Sequence, residues 1–130
     1  MAARRTMSDY QQAGSGGIIF MGFLQAITLP LSYEQRRISY RGIYSLIVAK
    51  VYEDKKLIGI EGVTDLIHQV KELLEQAGED YDPKYESHST FSKDENKYVE
   101  LLAQIFDKLS EIVTKTKLIE KITQEQEIFA

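Results

Sequence analysis

The chain predicts an all-α fold, a small bundle of about four helices ending in a long C-terminal one. Three observations carry this. Ser32 and Gln35 form a capping box just after Pro30, Val63 to Ala77 repeats apolar residues at helical spacing, and Ser92 with Glu95 opens a second box ahead of a heptad-spaced seam. A side chain that satisfies the N–H three residues on, followed by apolar residues every three or four positions, marks a helix start and one buried helix face.

The first helix is expected over 18–29. Residues 1–17 are polar and end in Gly14-Ser15-Gly16-Gly17, which reads as a flexible arm, leaving 18–130 as a single helical domain. The apolar run Ile18 to Leu29 follows Arg4 and Arg5 and has the length of a signal-peptide core. However, the glycine spacer is misplaced for that role, no small-residue cleavage site follows, and a bilayer needs roughly 20 apolar residues. A short buried helix is expected instead, with Gly22 allowing a close neighbour. No membrane partner is expected, and the expected location is cytoplasmic.

The second helix is expected over 32–56 and as the central element of the bundle. At about 100° per residue, Tyr33, Tyr40, Tyr44, Ile47 and Val51 fall on one face. Ile38, Ser39, Gly42, Ser45, Leu46 and Ala49 fall on the other. Two apolar or small faces predict burial between neighbours, and Gly42 predicts close approach of another backbone. Residues 46–60, LIVAKVYEDKKLIGI, also fit two strands joined by a turn at 53–56, which gives an α+β alternative.

Gly59 and Gly62 mark a turn and match no phosphate-loop pattern. The third helix is expected over 63–77, capped by Gly62 or Thr64 and ended by Gly78. His68 lies off its apolar face and reads as solvated. Residues 79–92 form a polar loop around Pro83. Asp80, Asp82, Glu86 and His88 are metal ligands by type, but their spacing fits no calcium loop. The last helix is expected over 93–123, carrying Tyr98, Leu102, Ile105, Leu109, Ile112, Thr116 and Ile119 as a seam that Ile122 prolongs. Extended to Glu127 it would reach roughly 50 Å, longer than a domain of this size is wide, so it either breaks near 114–116 or projects onto a partner. The expected core is Tyr44, Ile47, Val51, Leu66, Val70, Leu73, Leu102, Ile105 and Leu109.

Composition narrows the function. With 43% hydrophobic and 28% charged residues the chain is an ordinary globular sequence. The absence of Cys excludes disulfides and thiolate chemistry, and two His exclude a His-rich metal site; no metal and no cofactor are expected. No hydrolase triad, zinc-protease, dinucleotide or P-loop pattern is present, so no catalytic residue is assigned and the expectation is a non-enzyme. Charge is uneven. Residues 1–50 hold six Lys or Arg against two Asp or Glu, whereas residues 51–130 hold ten against eighteen. Two readings use these features. The first is a protein–protein interaction or assembly subunit that meets itself or another protein through the C-terminal helix, at Ile112, Thr116, Ile119 and Ile122. The alternative is an accessory nucleic-acid-binding subunit, in which Arg36, Arg37, Tyr40 and Arg41 contact phosphate and stack on single-stranded bases. The pI of about 5.2 weighs against that alternative.

Overall fold

A computed structural model describes residues 16–87 and 92–118. Among them the chain forms five α-helices and one 3-10 turn, with no strand. They are α1 Gly16–Thr28, α2 Tyr33–Glu53, α3 Lys55–Ile58, α4 Val63–Asp80, the turn Pro83–Ser87, and α5 Lys93–Thr116. The hairpin alternative fails, because residues 46–53 simply continue α2. Of the expected arm 1–17, only Gly16 and Gly17 are described, and they open α1; the rest lies outside the described residues.

Local chemistry sets most boundaries. Ser32 Oγ accepts the N–H of Gln35 at 3.2 Å and starts α2. The helix then stops at Asp54, short of the expected 56. Asp54 takes an extended backbone, and its carboxylate accepts the N–H of Lys56 at 2.9 Å, which begins α3. Aspartate competes in this way with the helical ladder, and here the competition ends the helix. Gly62, at φ 85°, provides the left-handed residue ahead of α4. Helix α4 runs through Gly78 to Asp80 rather than ending there. A Cβ on Gly78 would stand 3.6 Å from Arg37 Nη1, an ordinary contact.

Helix α5, not α2, is the element that the others cover. Among the described residues the α4–α5 contact is the most extensive, and α1 and α2 also pack on α5. Helix α4 runs antiparallel to it, with Lys108 Nζ donating to Gln69 Oε1 at 2.8 Å near the middle and the Tyr81 ring tilted against Tyr98, centroids 5.8 Å apart, at one end. Helix α2 runs in the same direction as α5: Tyr33 meets Tyr98 with ring centroids 6.2 Å apart, and Tyr40 meets Phe106 at 5.8 Å. The reason lies in side-chain bulk. Helix α5 buries Tyr98, Leu101, Leu102, Ile105, Leu109, Ile112 and Val113, whereas the second face of α2 has small residues and little to bury. Of the expected core, Ile47, Val51, Leu66, Val70, Leu102, Ile105 and Leu109 are buried; Tyr44 and Leu73 are half-buried against it.

Candidate protein interface

The arginine–tyrosine stretch does not assemble into one surface. Tyr40 is buried against Phe106 and presents no free ring. Arg36 Nη2 donates to the carbonyl of Leu29 at 2.9 Å, tying the end of α1 to α2, and its guanidinium lies 5.6 Å from the Tyr33 ring centroid. Arg37 pairs with Glu34 at 3.8 Å and lies 6.0 Å from the Tyr81 ring centroid. Only Arg41 is exposed, and it lines a groove between α2 and α4 beside Lys71, Glu75 and Glu79. Two of the three arginines therefore hold the fold together, and the third sits among carboxylates.

The expected C-terminal interface also changes. Helix α5 ends at Thr116, about 36 Å long for its 24 residues, and so fits within the domain. Lys117 adopts φ 49° and turns the chain, and Leu118 is buried. Ile112 and Thr116 are covered by their own chain, and the Thr116 hydroxyl donates to the Ile112 carbonyl at 2.8 Å. They offer no surface to a partner. Ile119 and Ile122 lie outside the described residues.

At the opposite end, four tyrosines gather where α2 begins and α4 ends. Tyr81, Tyr85 and Tyr98 form a ring cluster, with Tyr85 and Tyr98 centroids 5.3 Å apart, and Tyr33 adds its edge. Glu86 holds the cluster to the backbone. Its carboxylate accepts the N–H groups of Tyr33 at 3.0 Å and Glu34 at 3.2 Å, and the Tyr81 hydroxyl at 2.9 Å. It thus caps α2 across the fold. Burial, reinforced by the Glu86 hydrogen bond, pushes the Tyr81 phenol up to about 12. Burial also raises Tyr33, which faces the Glu95 carboxylate, and Tyr98, against the pull of Arg37. Glu86 is therefore a structural cap. Among the described residues, no three His, Asp or Glu come together to hold a metal ion.

The feature that the fold leaves unexplained is apolar and lies on α1 and α2. Helix α1, GGIIFMGFLQAIT, has no charged residue. Within Met21–Thr28 it buries only Met21, Leu24 and Thr28. Phe23 is 65% exposed and Ile27 50%, and Leu29 just beyond is exposed as well. On α2, Ile38 at 56% and Leu46 at 54% stand in water, with exposed Gly42 and Ala49 between and beside them. Ile27 of the first set lines a groove whose α2 wall includes Gly42, midway in sequence between Ile38 and Leu46. This groove of about 320 Å³ runs between the helices, lined by Leu24, Ile27, Leu31, Ser39, Gly42 and Ile43, with Thr28 at its floor and no charged side chain. Among the described residues the expected close packing at the glycines is absent: a Cβ on Gly22 or Gly42 would meet none of them within 4 Å. This is the second face of α2, expected to be buried; the main contacts of α1 are with α5 and those of α2 with α3, α4 and α5, which leaves this face open. The sequence carried two signals for it, an uncharged α1 and the pairing of small residues with isolated large ones on one side of α2.

The chain matches no family model, no curated protein and no solved structure. No helix among the described residues is long and apolar enough to cross a membrane.

Proposed function

We propose that the protein is a non-enzymatic protein–protein interaction or assembly subunit, and that it works through the outer face of α1 and α2. One observation carries the reading: the exposed apolar side chains of both helices flank a single uncharged groove. Scattered apolar residues on a surface are ordinary, but a contiguous patch with a concave centre is the signature of an interface. A helix with no charge on any side is otherwise found buried, so α1 with one side in water lacks a neighbour. This moves the interface expected on α5 to the opposite end of the sequence.

The test is positional crosslinking in cells that make the protein. A photoreactive residue is placed at Ile27, at Leu46, or at exposed Glu72 on α4 as a control. Adducts with a protein from Ile27 and Leu46, and none from Glu72, are expected. Equal yields from all three positions, or none from the first two, would overturn the reading.

A further inference from the structure

We infer that the occupant of this face is a second copy of the chain, paired about a two-fold axis that passes near Gly42; the inference rests on the interaction reading above. The pattern on α2 is self-complementary. Ile38 and Leu46 each stand four residues from Gly42, one on either side, and both are exposed. When two copies of α2 cross antiparallel at Gly42, Ile38 of each meets Leu46 of the other. An isologous contact requires that reciprocity: residue i touches j, and j touches i.

Gly42 explains itself in the same arrangement. Glycine inside a helix destabilises it relative to alanine, yet no described residue comes within 4 Å of where its Cβ would stand. A backbone arriving from outside would occupy that space. Ser45 and Ala49, also exposed on this side, keep the approach low on either flank.

Charge does not oppose this pairing. The net charge of −4 comes from residues 51–130, and a face carrying that excess would repel a copy of itself. The α1–α2 face does not: α1 has no charged residue, and Glu34 and Glu53 at the two ends of α2 are already paired with Arg37 and Lys50. Two neighbouring helices, each about 10 Å across and about 20 Å long, present roughly 400 Å² of face, so pairing buries roughly 800 Å² in all, below a standard interface and enough only for a weak, transient contact. Phe23 and Ile27 of α1 widen the contact beside α2.

Because the chain has no cysteine, Gly42→Cys introduces a single reporter. A residue on the axis faces its own copy within disulfide reach. The Gly42→Cys protein is expected to oxidise to a disulfide dimer about tenfold faster than Glu72→Cys. Mixed Ile38→Cys and Leu46→Cys proteins should favour the mixed disulfide over either self-pair. Sedimentation equilibrium on the unmodified chain, from about 1 µM to about 1 mM, should show a monomer–dimer transition. Gly42→Leu and Leu46→Glu should each weaken it about tenfold or more, without loss of helical signal.

A monomeric mass throughout overturns the pairing. So does a dimer that survives both Gly42→Leu and Leu46→Glu, or a monomer that partitions onto anionic phospholipid vesicles through this face. The two readings separate cleanly. A monomeric mass with crosslinks from Leu46 to a different protein sinks the pairing and keeps the interaction role. A monomeric mass with no position-specific adduct sinks both.

Discussion

The Glu86 carboxylate accepts the backbone N–H of Tyr33 at 3.0 Å, although 53 positions separate the two residues. The first turn of a helix has N–H groups with no partner inside it, and an acidic side chain there both accepts them and complements the helix dipole. Ser32 answers for Gln35, and Glu86 answers for Tyr33 and Glu34. Glu86→Ala should therefore destabilise the fold by about 0.5–2 kcal/mol. Urea unfolding followed at 222 nm measures it, and a midpoint equal to that of the parent would remove the capping role.

The same end of the bundle predicts alkaline sensitivity. Tyr81 is raised from 10.0 to about 12, first by burial and then by its bond to Glu86, and burial raises Tyr33, Tyr44, Tyr85 and Tyr98 too. The fold favours the neutral phenol. Its contribution is complete below pH 10, the unfolded value, and is lost as pH rises through the folded values toward 12. Stability should fall above pH 10, and tyrosinate absorbance at 295 nm should lag that of the urea-unfolded chain. Coincident titration curves would contradict the buried cluster.

Arg37 and Arg41, one turn apart, should behave differently. Arg37→Ala removes a side chain that packs over Tyr81 and pairs with Glu34, a loss of about 1–2 kcal/mol. Arg41→Ala should stay within about 0.5 kcal/mol, since that side chain is exposed. Parallel thermal melts decide this, and equal losses would place both on the surface or both in the fold.

Ile105 lies at the centre of α5 with no exposed surface. Ile105→Ala should destabilise by about 2–5 kcal/mol through lost burial and the cavity left behind. An unchanged unfolding midpoint would disprove the assignment of α5 as the shared core.

Gly42→Ala should do the reverse. With no described residue within 4 Å of the added methyl, the variant should gain about 0.5–1 kcal/mol of stability when measured at high dilution. Destabilisation there would mean that the site is already filled from within.

What could be read from the sequence was what neighbours in the chain decide. Ser32 and Ser92 start helices through N–H groups three residues away, so both starts were visible. The apolar face of α4 was visible because it is the only hydrophobic side of an otherwise charged helix. The stop at Asp54 was missed because the apolar pattern runs through it, while the competing carboxylate bond reaches only to Lys56. Which face of α2 is covered was hidden, since both faces are apolar and differ only in bulk. The fates of Arg36 and Arg37 were hidden for a related reason: Leu29 and Tyr81, the groups they meet, are brought to them by the fold. Charge pattern located these arginines but could not say whether they faced water or the chain itself.

The position of α5 bears on synthesis. A chain leaves the ribosome from its N-terminus, so α1, α2, α3 and α4 emerge while the helix they pack on is still being made. Helices α1 and α2 both pack on α5, and α4 has its largest contact there. Folding must therefore wait until Thr116 has cleared the exit tunnel. The α4–α5 pair, joined by a short connection, is expected to close first, with α1 and α2 added from a greater sequence distance. Until then α1, which has no charged residue, lacks the helix that covers Met21 and Leu24.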